Sequence, residues 1–412
     1  MSKHYDALEI RDPAERETAL MRALPAQLEH AKKNSRHYAE VLKDIAVGDV
    51  TSRAALAKLP LTRKSALHAA QKAAPPLGGF LAVPQAELAH IFMSPGPIFE
   101  VDQPTPDYWR GARTLYAHGL RRGDVVHNTF SYHMVPAGLL FETGARAIGC
   151  PVFPAGTGNT ELQLDAIEAI RPVAYAGTPS FLKILLEKAK EMGRDVASIR
   201  KASVGAEAFP PPLRKLFNDA GIAAYQSYGT ADLGIIAYET EAVEGMVIDE
   251  GLIVEIVRPG SGDPLPDGEV GEVVVTNLSA AYPLIRFGTG DMSAIMPGIS
   301  PCGRTNARIK GWMGRADQRT KVKGMSVDPE QVVLVGKRHP ELNKIRLVVD
   351  WVNQADVMTL KAELPGGGTG DLAKAVEATI QAVCKVRGSV AFVDPGSLPN
   401  DGKVIDDVRK YE

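Results

Sequence analysis

Between about residues 108 and 230 the chain alternates helical and strand signals, and this rhythm constrains its fold more than any other feature. Trp109 to His118 reads as a helix. The turn Arg122-Gly123-Asp124 then leads into a short strand at Val125–Asn128. Ala137–Ala147 is helical, Gly149–Phe153 a strand and Glu161–Ile170 a helix. Val173–Ala176 is again a strand, and it ends in Gly177-Thr178-Pro179-Ser180 before the helix Phe181–Met192. Val204–Ala206 and Ala223–Tyr225 read as further strand ends. Such alternation predicts α/β layers around a largely parallel sheet. In sheets of this kind ligands gather at the carboxyl ends of strands, where most of the Gly-, Thr- and Tyr-rich corners of this chain fall.

At 412 residues the chain is too long for one ordinary core. Residues 11–45 read as helical, with Leu20, Leu24, Leu28 and Ala31 at helical spacing. Leu59-Pro60-Leu61-Thr62-Arg63-Lys64 breaks that pattern, and Thr62 is placed to cap the helix that follows. From 246 to about 300 the texture turns to β, with strands at Leu252–Val257 and Glu272–Thr276 and turns at Pro259-Gly260 and Asp267-Gly268. After Gly314 the pattern is strand (Ile345–Val352), strand (Val357–Leu364), helix (Leu372–Val386), strand (Val390–Val393). The predicted class is therefore α/β: a large layered α/β domain over residues 1–313 with a β-rich subdomain near 246–300, and a small α+β domain over 314–412.

A formal net charge of −2 gives no global pull toward nucleic acid or anionic membrane, so neither is an expected partner. No apolar run is long enough to cross a bilayer, and the N-terminus, Met-Ser-Lys-His-Tyr, lacks an apolar signal core. Cys150, Cys302 and Cys384 are odd in number and far apart, which points to a reducing cytoplasm rather than a disulfide framework.

Four corners carry chemistry. Tyr282-Pro-Leu-Ile-Arg-Phe-Gly-Thr-Gly-Asp291 begins as an extended apolar run, in which Leu284 and Ile285 read as strand, and ends in two glycines and a carboxylate. A carboxylate there can accept two hydroxyl hydrogen bonds, as from a ribose diol, or simply satisfy its own turn. Tyr225-Gln-Ser-Tyr-Gly-Thr-Ala-Asp-Leu-Gly234 places an aromatic ring (Tyr228), a glycine (Gly229), a hydroxyl (Thr230) and a carboxylate (Asp232) within five residues. Together they suit base stacking, close backbone approach and a hard cation. The third is Gly314-Arg-Ala-Asp-Gln-Arg-Thr-Lys-Val-Lys-Gly324; its basic run fits a solvated connector. The fourth, Gly396-Ser-Leu-Pro-Asn-Asp-Gly-Lys403, sets a lysine on a glycine-containing loop, where it acts as a mobile point charge. Gly366–Gly370 fits no nucleotide fingerprint and reads as a plain turn.

These corners, in this order, resemble the adenylate-forming enzyme superfamily, and within it the phenylacetate–CoA ligases and their relatives. The resemblance runs from Leu59-Pro60-Leu61-Thr62 to Lys403 and takes in Asn159-Thr160, Thr178-Pro179-Ser180 and Gly205-Ala206-Glu207. It implies that Tyr228 stacks on adenine, with Gly205, Ala206 and Glu207 at the same slot and Gly229 and Thr230 beside it. It implies that Asp232 helps hold Mg²⁺ where the family has Glu, that Asp291 binds the ribose hydroxyls, and that Arg315 lies near ribose and phosphate. Asp317 becomes a hinge about which a small domain turns between two half-reactions, and Lys403 reaches the carboxylate and α-phosphate. Tyr132 and His133 are candidates for lining the acid pocket, with core packing as the alternative.

The implied activity is an ATP-dependent, AMP-forming acid–CoA ligase. It joins an aromatic or arylacetic acid such as phenylacetate to coenzyme A through an acyl-adenylate, with ATP/AMP, Mg²⁺ and coenzyme A at the site; a homodimer is a family-level expectation. One stretch departs from the pattern. The family's phosphate loop is rich in Ser, Thr and Gly and ends in Lys; here it reads Phe92-Met-Ser-Pro-Gly-Pro-Ile-Phe-Glu100. It keeps Ser94 and Gly96, contains two prolines, which offer no N–H, and has no lysine. The alternatives are thus a relative that transfers adenylyl groups or does not use ATP, and a non-catalytic nucleotide or acyl-CoA binder.

Overall fold

The structure, a computed structural model, describes residues 2–94, 97–316, 318, 320–322, 325–352 and 355–409. It divides into two compact units. The larger holds Met1–Val254, Val275–Thr289 and Ile295–Trp312, the smaller Glu255–Val274, Gly290–Ala294 and Met313–Glu412. Strands Leu252–Val257, Gly271–Asn277 and Phe287–Ser293 contribute residues to both.

The larger unit is built on a nine-stranded sheet. Its order is Ile295–Met296, Arg308–Ile309, Met246–Ile248, Gly234–Tyr238, Ala223–Thr230, Lys201–Val204, Ala174–Gly177, Val126–Asn128, Val152–Pro154. The five strands from Ala223–Thr230 to Val152–Pro154 are parallel, as the alternation predicts. The others are added antiparallel. Successive side chains of a strand face opposite ways, and the strand Ala174–Gly177 shows the consequence. Ala174 and Ala176 pack with Trp109, Leu115, Leu140 and Phe141 on one face. Tyr175 packs with Leu164, Leu182, Leu185 and Phe217 on the other. Both faces are roofed by helices, the condition for a stable parallel sheet.

The helices begin and end where local chemistry requires. Thr178 caps Pro179–Met192 by accepting from the Phe181 N–H at 3.3 Å, and Pro179 occupies the first turn, where a missing N–H costs nothing. Gly193 ends that helix and Gly149 ends Ala137–Ile148, both left-handed. The long N-terminal helical stretch is two helices, Pro13–Asn34 and Arg36–Val41, broken at Ser35, which caps the second.

Two local expectations are corrected. Thr62 does not cap the helix Lys64–Ala73; its buried hydroxyl donates to the Ile285 carbonyl at 3.0 Å, and Thr62–Arg63 pairs in parallel with Phe287–Gly288. Leu284 and Ile285 are not strand residues, because Arg286 takes a left-handed φ of 45° and the strand starts only at Phe287. The Arg286 side chain is buried and donates to the Ala57 and Leu59 carbonyls at 2.6 and 2.8 Å, tying down the Leu59-Pro60 corner.

In the smaller unit a four-stranded sheet is ordered Ser389–Val393, Ala355–Glu363, Ile345–Val352, Ile405–Asp407. Helices Pro329–Arg338 and Gly370–Cys384 contribute Val332, Val335, Val376 and Ile380 to its core.

The two helices Gly111–Ala117 and Ala137–Ile148 meet at glycines: a Cβ on Gly144 would lie 2.6 Å from the Gly111 carbonyl carbon. Backbone cannot yield there as a side chain can. Gly144→Ala is expected to cost about 1–3 kcal/mol, read as a lowered urea midpoint, whereas Gly48→Ala, with open space around it, should leave the midpoint within experimental scatter.

Candidate active site

Within the larger unit the expected residues collect at the carboxyl end of the strand Ala223–Thr230. Its ladder with Gly234–Tyr238 shifts register between Tyr228 and Gly229. Only glycine fits at 229, since a Cβ would meet the Gly234 carbonyl oxygen at 2.4 Å. Tyr228 is buried and its hydroxyl donates to Thr289 Oγ1 at 3.2 Å; Thr289 precedes Asp291 by two positions in its strand. The Thr230 hydroxyl accepts from the Leu233 N–H at 3.2 Å and so closes the turn that carries Asp232.

Gly205 lies against this strand: its N–H donates to the Gly177 carbonyl at 3.3 Å, and a Cβ would meet Ser227 Oγ at 3.1 Å. Ala206 takes a left-handed φ of 66°, and the exposed Glu207 accepts from the Ser180 N–H at 3.4 Å. The Gly177–Ser180 and Gly205–Glu207 corners thus stand side by side, as ends of adjacent parallel strands must.

Asp232 is buried. One carboxylate oxygen takes the Lys64 ammonium at 2.8 Å, while Oδ1 has no hydrogen-bond partner among the described residues. Lys64 starts the helix Lys64–Ala73 and is the functional candidate that the sequence reading passed over. Only the run Thr62-Arg63-Lys64 after a proline corner hinted at it; its partner is 168 positions away.

Ser94 sits in the hairpin His90–Ser94 and Ile98–Asp102, paired with Ile98. Its hydroxyl donates in a short hydrogen bond to Glu100 Oε1, so it is already engaged. Gly96 lies outside the described residues, as does Asp317. Glu100 is almost wholly buried, and that burial pushes its carboxyl up to about 7. The Ser94 hydrogen bond opposes the rise, the Asp232 carboxylate adds to it, and the Lys64 ammonium opposes it. Lys64, Asp232, Glu100 and Ser94 therefore form one coupled cluster. Tyr132 and His133 lie on the loop whose Met134 carbonyl accepts from the Met93 N–H at 2.8 Å, next to this hairpin. The half-buried Tyr132 hydroxyl accepts from Asn128 Nδ2 at 2.8 Å, whereas His133 is exposed.

The smaller unit brings together the remaining residues. Asp291 lies within a strand, not on a turn, and Arg315 bridges it antiparallel. Arg315 Nη1 donates to Asp291 Oδ1 at 2.9 Å, and a Cβ on Gly290 would meet Arg315 Nη2 at 2.6 Å. Arg315, Gln318, Lys403 and Met292 line one cavity of about 300 Å³. Lys403 is partly exposed and its ammonium reaches Asp406 at 2.7 Å.

Residues 108–281, which carry the Gly177–Ser180, Gly205–Glu207 and Tyr228–Asp232 corners, match the AMP-binding enzyme family. The chain is 31% identical over 398 residues to the phenylacetate–coenzyme A ligase of Aromatoleum evansii, with 90% of this chain and 88% of that relative covered. It is 32% identical to the Thermus thermophilus enzyme of the same name (75% and 72% covered) and 28% identical to that of Escherichia coli (97% and 95%). The chain belongs to the phenylacetate–coenzyme A ligase family of AMP-forming acid–CoA ligases. Its fold is that of the adenylate-forming enzymes: an open conformation of 2-hydroxyisobutyryl-CoA ligase, solved with 2-HIB-AMP and CoA, superposes with a TM-score of 0.73 at 23% identity, covering 97% of this chain and 92% of that one.

Glu100 gives this cluster a pH signature. Its folded carboxyl titrates near 7 against an ordinary value of 4.5, so the folded state holds the extra proton between those values. Stability must therefore fall as pH rises through that window and level off above it. The fall is at most roughly 3 kcal/mol. Glu100→Gln is expected to be more stable than wild type at pH 8, with the gap narrowing toward pH 5; parallel urea titrations at the two pH values check this.

Proposed function

We propose that this protein activates an aromatic or arylacetic carboxylic acid such as phenylacetate as an acyl-adenylate and passes the acyl group to coenzyme A. The observation that carries the reading is that Arg315 and Lys403 line one cavity of the smaller unit. Attack of a carboxylate on an α-phosphate builds negative charge, and fixed cations stabilise it. In this reading Tyr228 stacks on adenine, with Gly205, Ala206, Glu207, Gly229 and Thr230 forming its slot. Asp291 takes the ribose hydroxyls, Arg315 the ribose and phosphate, and Lys403 the carboxylate and α-phosphate. Tyr132 and His133 border the acid.

Asp232 Oδ1, buried and without a described partner, is an oxygen suited to Mg²⁺. That ion would supply charge neutralisation at the phosphates. We further assign residues 314–412 to a mobile small domain with its hinge at Asp317. Pyrophosphate leaves in the first half-reaction. In the second, the coenzyme A thiolate attacks the acyl carbonyl, the bond to the AMP oxygen breaks, and AMP leaves.

A second reading is favoured by the hairpin alone. The Ser94 hydroxyl is spent on Glu100, and Pro95 and Pro97 bring no N–H, so the donors that a triphosphate needs do not come from these three residues. A relative that accepts a preformed adenylate or a CoA thioester needs none of them.

One assay separates the two. Protein, ATP, Mg²⁺, coenzyme A and a panel of aromatic acids are mixed and AMP is measured. AMP release with an arylacetic acid supports the ligase; thioester formation from supplied acyl-adenylate without ATP-dependent AMP release supports the second reading. Lys403→Ala is expected to lower adenylation by about 10²–10³-fold while sparing nucleotide binding, and an unchanged rate would remove Lys403 from the mechanism.

A further inference from the structure

The cation-bearing loop of the smaller unit is held by a side chain of the Gly314–Gly324 corner that was given no role above. Gln318 extends its carboxamide to the backbone on both sides of Lys403. Its Nε2 donates to the Gly402 carbonyl at 3.1 Å. Its Oε1 accepts from the Ile405 N–H at 2.8 Å and from the Val404 N–H in a shorter bond. The orientation of the amide is fixed, because backbone N–H groups can only donate and a carbonyl can only accept.

The need for this clamp follows from the sheet. Among the described residues Ile405–Asp407 is an edge strand, paired with Ile345–Val352 through Leu347 and its neighbours. Its outward N–H groups require partners from elsewhere. One group must accept twice and donate once within a few ångströms, and among side chains of this length only a carboxamide does so. A carboxylate can only accept, and an ammonium only donate.

Further fastenings act on the loop leading up to and including Lys403. Arg346 forms a two-pronged pair with Asp401, in which Nη1 meets Oδ2 at 3.1 Å, and donates to the Pro399 carbonyl at 3.0 Å. Asp401 Oδ1 accepts from the Lys403 N–H at 3.1 Å. Gly402 takes a φ of 71°, and a Cβ there would meet Met292 Sδ and Val270 Cγ1 at 2.8 Å. Gln318 alone among these reaches the backbone on both sides of residue 403, and it stands one residue after the expected hinge, Asp317.

We propose that Gln318 is a positioning residue for Lys403: its carboxamide fixes the 402–405 backbone so that the Lys403 amine is delivered to one place. The inference rests on the role given to Lys403 above. It predicts that loss of the clamp harms the half-reaction that uses the amine and spares the other.

The test is Gln318→Leu, assayed separately for acyl-adenylate formation from ATP and for thioester formation from supplied acyl-adenylate. Adenylation is expected to fall by about 10–100-fold, the scale of a small misplacement of a reacting group. Thioester formation should stay within about twofold. In the Lys403→Ala background the same change should add no further loss to adenylation, since both act through one amine. Gln318→Glu, which keeps the acceptor for Val404 and Ile405 but not the donor to Gly402, should recover part of the loss. Amide hydrogen exchange at Val404 and Ile405 should accelerate in Gln318→Leu.

Equal loss in both half-reactions would make Gln318 merely structural and overturn the proposal, as would unchanged adenylation or unchanged exchange at the two amides. Absence of adenylation by the wild type with every acid, with the two amides still exposed by Gln318→Leu, would overturn the ligase reading and the delivery role together while leaving the backbone clamp standing.

Discussion

A parallel sheet has to be covered on both faces, and that requirement organises the larger unit. The central strands can hold little that is charged, so Ala174, Tyr175, Ala176, Ala202 and Val204 fill them. Polar chemistry is driven to the strand ends, where Gly177–Ser180, Gly205–Glu207 and Tyr228–Asp232 follow one another across adjacent strands. The helices that roof the sheet must also approach each other closely. The Gly111–Gly144 contact is where that approach leaves no room for a side chain. Site and core are two consequences of one packing rule.

The buried charges need a separate account. Asp232 is wholly enclosed and Glu100 nearly so, and isolated carboxylates in such places are costly. The molecule answers each differently. Asp232 is compensated by Lys64, and Glu100 keeps its proton up to near neutral pH. One ammonium therefore serves a cluster that would otherwise carry two negative charges. This arrangement needs no lysine or arginine in the hairpin strands themselves. It also leaves Ser94 bound to its own neighbour, so phosphate recognition in this chain cannot rest on that hydroxyl unless the Glu100 bond is released.

Much of this was legible in the sequence because it is local. Gly149 and Gly193 end helices where a left-handed residue is needed, and Thr178-Pro179 starts one. The alternation of periods placed the parallel strands within a few residues. Readings failed where distant partners decide. Thr62 has a capping residue's chemistry, but its hydroxyl goes to Ile285, 223 positions on. Asp291 follows two glycines, yet it lies within Phe287–Ser293, an inner strand of a four-stranded sheet, and Arg315 bridges it. The partners of Lys64 and Gln318 carry no local signature, since an ammonium meeting Asp232 and a carboxamide meeting residue 404 are products of the finished fold.

Lys64 and Lys403 differ in a way that bears on what each can do. Lys64 is anchored at a helix start and pairs with a fully enclosed carboxylate, so removing it from Asp232 leaves a buried charge uncompensated. It is suited to fixed electrostatics. Lys403 pairs with Asp406 only three positions away, and its side chain is 45% exposed. Such a pair is worth about 0–1 kcal/mol, so an incoming phosphate or carboxylate can take the amine at little cost. The backbone beneath it is the opposite case, pinned by Gln318 behind and Arg346 before. A rigid base under a weakly held amine is what a delivered charge requires: the position is set by the fold, and the last few ångströms are left to the ligand.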